Sequence, residues 1–146
     1  MHWQRTFLQP MLANFDAPSR EECIANRNAA NTPQQALTLL NDPTFVEAAR
    51  VFAQTLLDRP NRKDDRRINE AYQRALARPP NQKETDSLLA FLNEQRRYYR
   101  AHPEDAKKVD HAGIAPIRPS LDASELAAWA NLCRVILNLH ETITRY

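Results

Sequence analysis

The sequence predicts an all-α fold, an irregular array of about five or six helices with an extended N-terminal arm. Glycine occurs only once among the 146 residues, as Gly113, although hairpins and sheets usually need glycine at tight turns. The ten prolines fall where helices would begin or end. Apolar residues recur at helical spacing through most of the chain. Together these observations favour helices over strands.

The first 17 residues are predicted to form the extended arm. They mix the aromatic residues Trp3, Phe7 and Phe15 with proline and show no sustained hydrophobic period. Aromatic side chains on an arm need cover from another surface. An exposed apolar patch is therefore predicted around these three rings.

Helix starts are marked by a small polar residue that precedes proline or lies three positions before glutamate. Such a residue accepts hydrogen bonds from free N–H groups, and proline needs no N–H at the first helical position. Five starts are predicted in this way, at Ser19, Pro33, Pro43, Asn81 and Asp122. A sixth, at Asp64 or Asp65, is predicted from the helical spacing of the apolar residues that follow it. The Ser19 helix is expected to end near Arg27, and the Asn81 helix near Ala101.

Apolar stripes on these helices predict the core. The stripes are Phe45, Ala48, Ala49, Phe52, Ala53 and Leu56; Ile68, Ala71, Tyr72, Ala75 and Leu76; and Leu88, Phe91, Leu92, Gln95 and Tyr99. The helix from Asp122 is the most apolar of the chain and is predicted to be central.

One helical domain is predicted for residues 1–146, and its segments differ in character. After the arm, residues 18–109 are predicted to be helical and divided by prolines. Residues 110–121 are predicted to form a long loop, and residues 122–146 the central C-terminal helix. The loop contains Gly113, Pro116 and Pro119, and it is expected to be the most mobile segment.

Composition and motifs argue against several classes of function. The formal net charge is +2, with acids and bases interspersed, so neither nucleic acid nor membrane insertion is expected. No signal peptide is recognisable after Met1. One glycine cannot build a phosphate-cradling loop, and His140-Glu141 lacks the second histidine of a zinc protease because Thr144 takes its place. No catalytic, cofactor-binding or metal-binding residue is assigned.

The two cysteines leave two interpretations open. Cys23 and Cys133 are far apart and form no CxxC pair, which argues against a zinc knuckle. They are either two small buried thiols, a common use of cysteine, or a disulfide that ties an early helix to the last one in an oxidising compartment.

Two basic segments are candidate surfaces. The first runs from Arg59 to Arg78 and is interrupted by acidic residues, so it is predicted to be a solvated helix face. The second, residues 96–100, alternates arginine with tyrosine, the residue types that often anchor protein interfaces. The possible interaction surface comprises Trp3, Phe7, Phe15, Arg97, Tyr98 and Arg100.

Three blocks of the chain carry a family resemblance. FDAPSREEC (15–23), NTPQQALTLLNDPTFVEAAR (31–50) and LCRVILNLHETITR (132–145) resemble the C-terminal domain of large secreted planctomycete-type proteins. Those proteins typically carry a planctomycete cytochrome c domain upstream. The resemblance implies an extracytoplasmic location and a haem in the upstream domain, but no cofactor in this chain, which has no CxxCH. It also implies that Met1 lies partway through the family's domain.

Two functional hypotheses follow from these features. The first is a non-catalytic helical module that packs on upstream domains of the same full-length protein or on another protein. The second is part of an extracytoplasmic active site, polysaccharide-related or redox, that upstream sequence would complete. Its polar residues would be Asp16, Arg20, Glu21 and Arg27.

Overall fold

The computed structural model describes residues 10–18 and 32–143, and within these ranges the fold is all-α without a strand. The helices are α1 (Pro10–Asn14), α2 (Pro33–Asn41), α3 (Pro43–Leu57), α4 (Asp64–Leu76), α5 (Gln82–Ala101), α6 (Pro103–Asp110), α7 (Ala123–Leu137) and α8 (His140–Ile143). Six of them, α2 to α7, contain eight or more residues. The predicted fold class is confirmed. No described helix is both long and apolar enough to cross a membrane.

Helix α7 occupies the centre of the array. It packs against every other described helix except α1. Its fully buried side chains include Trp129, the largest in the core, and Cys133. A helix that is apolar around most of its circumference is stable only when neighbours surround it. The prediction that this helix is central is therefore confirmed.

The predicted caps at the starts of α2 and α3 are confirmed. Thr32 Oγ1 accepts from the backbone N–H of Gln35 at 3.3 Å, and Gln35 Oε1 accepts from the backbone N–H of Thr32 at 3.1 Å. Asp42 Oδ1 accepts from the N–H of Thr44 at 2.9 Å. Pro33 and Pro43 are the first helical residues. Each cap satisfies N–H groups that the helix itself leaves unpaired.

The N-terminal arm is not fully extended, as it was predicted to be. Residues 10–14 form α1, because Pro10 stands at the first helical position and its fixed φ favours a helical turn. Asp16 then takes a left-handed φ of 55°, and the N–H of Ala17 returns to the carbonyl of Leu12 at 3.0 Å. Trp3 and Phe7, and the helix predicted from Ser19 to Arg27, lie outside the described residues.

The C-terminal helix is shorter than the predicted 122–146 segment. Helix α7 ends at Leu137, and the N–H of Asn138 closes its last turn on the carbonyl of Arg134 at 3.0 Å. The chain then turns and forms α8, in which Thr142 Oγ1 donates to the carbonyl of Ile136 at 2.8 Å. Side-chain capping by Thr142 competes with continued helix.

Two smaller expectations also differ. Ala48, assigned to the apolar stripe of α3, is exposed. Helix α4 ends at Leu76, before the two prolines, because Ala77 takes a left-handed φ of 57° at the C-cap. The remaining stripe residues of α3, α4 and α5 are buried or half-buried, and all except Phe45 and Gln95 form one core with α7.

Candidate functional site

A buried arginine connects α3 to the long loop after α6. Arg50 is completely buried. Its Nε donates to the carbonyl of Ala112 at 3.3 Å, and its Nη2 donates to the carbonyl of Ala115 at 2.7 Å. A buried guanidinium is costly unless its N–H groups find acceptors. The loop backbone supplies acceptors for Nε and Nη2, so Arg50 and the loop fix each other, whereas Nη1 has no acceptor among the described residues.

Glu47, one turn before Arg50, binds the same stretch of backbone through its N–H groups. Its Oε1 accepts from the N–H of Ile114 at 2.8 Å and from the N–H of Ala115. The same oxygen lies 4.0 Å from Arg50 Nη2. We call this arrangement, formed by Glu47, Arg50 and the backbone of residues 112–115, the α3 clasp.

Gly113 is required where the α3 clasp closes. Its φ is +86°, a conformation that L side chains rarely adopt, and a Cβ at this position would collide with the side chain of Glu47. The next residue, Ile114, is 99% exposed although its N–H is bound. The clasp therefore presents an aliphatic side chain to solvent on a turn whose backbone N–H and carbonyl groups are both hydrogen-bonded to α3.

The α3 clasp was not predicted from the sequence. The loop was expected to be mobile, but its segment 112–115 is fastened to α3. A signal was present: Arg50 follows Ala49 and precedes Ala53 by three residues, so it lies beside the buried stripe of its helix. A charge at such a position needs a partner, but the sequence did not name the loop carbonyls.

Asp110, the last residue of α6, is a buried acid beside the α3 clasp. It is 4% exposed, and its Oδ1 accepts no hydrogen bond among the described contacts. Burial raises the pKa of Asp110 to about 6, although the positive charge of Arg50 acts in the opposite direction. Burial disfavours the ionised carboxylate because the core solvates it poorly.

The predicted basic and aromatic cluster on α5 divides into an inner and an outer half. Arg97 and Arg100 are exposed, and Tyr98 is 46% exposed. Arg96 and Tyr99 point into the fold, where Tyr99 is 5% exposed. Only the outer half of the cluster is open to a partner, and it matches the three α5 residues predicted for the interaction surface.

Tyr98 is positioned by the start of α6. Its hydroxyl donates to Asp105 Oδ2 at 2.9 Å, and its ring stacks on His102 with centroids 4.5 Å apart. The hydrogen bond to the Asp105 carboxylate raises the pKa of the tyrosine. Lys108 donates to the other oxygen of Asp105 at 2.7 Å. These contacts brace the corner between α5 and α6.

Arg96 joins three helices at one ionic junction. It binds Asp64 of α4, with Nη1 2.6 Å from Oδ2, and Glu125 of α7, with Nε 2.8 Å from Oε2. Glu125 also accepts the indole N–H of the fully buried Trp129 at 2.9 Å. One half of the predicted capping box is present, since Asp122 Oδ2 accepts from the N–H of Glu125 at 2.9 Å. The Glu125 side chain binds Arg96 and Trp129 instead of completing the other half.

Helices α1 and α2 bury few side chains. Leu37 is 58% exposed and Leu12 is 37% exposed. The one fully buried side chain of α2 is polar, since Gln35 lies between its cap and Asp16 and donates to Asp16 Oδ2 at 3.4 Å. Phe15, from the predicted interaction surface, is half-buried with its ring centroid 6.1 Å from that of Phe45.

The other predicted positions have mixed outcomes. Of the polar residues of the active-site hypothesis, Asp16 contacts Gln35, whereas Arg20, Glu21 and Arg27 lie outside the described residues, so their convergence stays a prediction. Cys133 is a buried free thiol, and burial raises its pKa; Cys23 is outside the described residues. Within the described ranges no group of three or more potential metal ligands converges.

The basic segment on α4 is only partly a solvated face. Arg67 lies over Trp129 with its Cζ 6.0 Å from the ring centroid, and Arg78 lies over Tyr72 at 5.4 Å. Arg78 also binds Glu84 at 2.8 Å and Glu141 at 2.6 Å. These two arginines cover aromatic core residues with their side chains.

Comparison with known proteins adds a family and no activity. A family model described as PSD1, protein of unknown function (DUF1553), matches residues 1–92. The match contains α1 to α4 and the first half of α5, and it ends before the loop of the α3 clasp. Neither the curated proteins nor the solved structures gave a match to this chain.

Proposed function

The chain belongs to the PSD1 family of proteins of unknown function (DUF1553), and we propose that it is a non-catalytic helical module that packs on upstream domains of a larger exported protein. In this proposal the longer protein carries a cytochrome c domain, and that domain holds the haem. The module itself supplies helical packing surface.

The exposed leucine of α2 carries the proposal. A nine-residue helix is too short to be stable on its own in water and depends on burial of its apolar face. Yet Leu37 is 58% exposed and Gln35 is the one fully buried residue of α2. Burying a leucine contributes about 1.5–3 kcal/mol. A partner that covers Leu37 would supply this missing burial, and Leu12 of the adjoining helix α1 is a second exposed leucine.

The α3 clasp supports the same proposal from another part of the fold. A single exposed aliphatic residue is ordinary on a protein surface. Ile114 differs because a buried arginine and a glutamate fix the turn that carries it. A side chain presented on a pre-ordered backbone loses less conformational entropy when it binds.

Photo-crosslinking in the full-length protein tests the proposal. The DNA upstream of Met1 is read first, since an in-frame continuation supplies that protein and an immediate stop codon overturns the proposal. A photoreactive benzoylphenylalanine then replaces Leu37. The expected result is a crosslink, located by mass spectrometry, to residues outside this chain.

A matched position provides the control. Gln73 is exposed on α4, so benzoylphenylalanine there meets solvent and is expected to give no specific crosslink. Crosslinks from position 37 that reach only residues within this chain would contradict the proposed packing surface, as would equal yields from positions 37 and 73.

A further inference from the structure

Cationic side chains line an open hollow where the loop after α3 enters α4. Its walls are Arg59, Pro60, Asn61, Arg62, Lys63 and Arg66. Four of these six residues are cationic and none is acidic. Lys63 and Arg66 are both exposed, and neither forms an ion pair within the part of the chain that the structure describes. The hollow therefore has positive charge that the protein leaves uncompensated.

The carboxylate of Glu70, close to the hollow through Arg62 and Arg59, is already shared among three arginines. Glu70 binds Arg62, lies 2.6 Å from Arg74, and lies 3.8 Å from Arg59, which is 58% exposed. One carboxylate cannot neutralise three guanidinium groups, so this cluster carries an excess of two positive charges before Lys63 is counted. Like charges held together are stabilised by an anion that binds between them.

The backbone of the hollow is also shaped for a tight turn. Asn61 has a left-handed φ of 60°, which asparagine tolerates better than most residues. Arg67 Nη2 donates to the carbonyl of Arg59 at 3.1 Å and ties the loop to α4. Lys63 is the N-cap of α4, Arg66 lies in the first turn of that helix, and both side chains line the hollow.

A second hollow adjoins the first and is lined in part by neutral polar groups. The two share Arg62 and Arg66. The second also contains Asn69, Gln82 and Thr85, whose amide and hydroxyl groups suit hydrogen bonds to hydroxyl-rich molecules. Asp65 and Glu70 line it as well, so an anionic group is favoured only in the first hollow.

We propose that the hollow formed by Arg59, Arg62, Lys63 and Arg66 binds a tetrahedral oxyanion, sulfate or phosphate, carried by a saccharide whose hydroxyl groups occupy the second hollow. Guanidinium and ammonium groups form charge-assisted hydrogen bonds with such oxyanions. No aromatic residue lines either hollow, so the stacking platform typical of single-stranded nucleic acid binding is missing there.

Calorimetric titration of the full chain with a sulfated heparin tetrasaccharide tests this site. We expect binding that weakens as salt rises, and a loss of about tenfold in affinity in the Lys63→Ala/Arg66→Ala variant. The matched control is Lys83→Ala/Lys107→Ala, which removes two exposed cationic side chains outside both hollows. Its affinity is expected to stay within about twofold of the parent.

Two further measurements identify the chemistry of the ligand. The desulfated tetrasaccharide is expected to bind about tenfold more weakly than the sulfated one. On addition of inorganic sulfate or inorganic phosphate, the backbone amides of Arg59 and of residues 61–66 are expected to shift in the NMR spectrum of the parent protein. This measurement does not depend on any variant folding, and a stronger response to one of the two ions assigns the oxyanion.

Several results would overturn the proposal. They are equal losses in the two double variants, equal binding of the sulfated and desulfated sugars, or no binding of any probe. Tighter binding of an oligothymidylate than of the sulfated sugar would assign the hollow to nucleic acid instead. None of these results bears on whether Leu37 contacts an upstream domain, so the two proposals fail separately.

Discussion

Glu47 and Arg50 bind the same residue, Ala115, through its two opposite backbone groups. Glu47 accepts the N–H of Ala115, and Arg50 donates to its carbonyl at 2.7 Å. The two side chains lie one turn apart on α3, whereas their target is more than sixty residues further along the chain. This pairing gives the longest loop of the described fold a defined path.

Replacing Arg50 should destabilise the fold and loosen the loop that it binds. Arg50→Ala leaves the carbonyls of Ala112 and Ala115 without donors and Glu47 without its buried cation, so we expect the free energy of unfolding to fall by about 3 kcal/mol. Urea denaturation measures this change, and hydrogen exchange should accelerate at the amide of Ala115. Arg97→Ala, at an exposed position on α5, should be nearly neutral. Unchanged exchange at residues 112–115 would contradict the role given to Arg50.

Asp110 should make stability fall as pH rises. Its folded pKa, about 6, is above the usual 3.8, so the folded state holds a proton that the unfolded state has lost between about pH 4 and 6. Stability from this residue is therefore present at low pH and lost as pH rises through 6. The shift corresponds to about 3 kcal/mol, and Asp110→Asn should recover most of it at pH 7.

The comparison that isolates Asp110 is the stability difference between variant and parent at two pH values. We expect the difference to be small at pH 4 and to grow by pH 7, measured by urea denaturation at both. Asp86→Asn, at an exposed position on α5, should show no such growth. A pH-independent difference for Asp110→Asn would mean that its carboxylate is not destabilised in the fold.

Glu125 should be among the most sensitive acidic residues of the chain. Glu125→Ala removes the partner of Arg96 and leaves the buried indole N–H of Trp129 without an acceptor. An unsatisfied buried donor costs about 1–3 kcal/mol, and the lost ion pair adds to that. We expect a loss of about 3 kcal/mol by thermal or urea denaturation. Glu94→Ala, exposed on α5, is the control, and equal effects of the two substitutions would refute the junction.

Cys133 should resist alkylation in the native state. The thiol is completely buried, and burial raises its pKa, so little reactive thiolate forms and reagents cannot reach it. Iodoacetamide at neutral pH should label Cys133 only after denaturant is added, as located by peptide mass spectrometry. Rapid labelling of Cys133 without denaturant would show that α7 opens readily or lies nearer the surface.

Local features of the fold could be predicted because their causes are local. Thr32, Asp42 and Asn81 cap helices by bonds to residues two or three positions away, and sequence spacing shows such bonds directly. The central position of α7 followed from its composition, since few polar residues interrupt it. The end of α7 at Leu137 did not, because a turn stabilised by Thr142 decides it.

The candidate surfaces were harder to predict because long-range pairing decides which charges stay free. Arg96 and Arg97 are neighbours in sequence, yet Arg96 joins three helices and Arg97 faces solvent. Arg50 was assigned no role from the sequence, because its acceptors, the carbonyls of Ala112 and Ala115, lie more than sixty residues further along the chain. Helical periodicity gives the face of a residue but not the element opposite that face.

Gly113, which lies against the side chain of Glu47, gives a way to recognise the α3 clasp in other sequences. The clasp needs glutamate and arginine three residues apart on one helix, followed about sixty residues later by glycine and two residues with free N–H groups. In this chain the pattern reads Glu47-x-x-Arg50 with Gly113-Ile114-Ala115. A related sequence that extends past residue 115 and changes the glycine should also change the glutamate, and such paired substitution would indicate the clasp without a further structure.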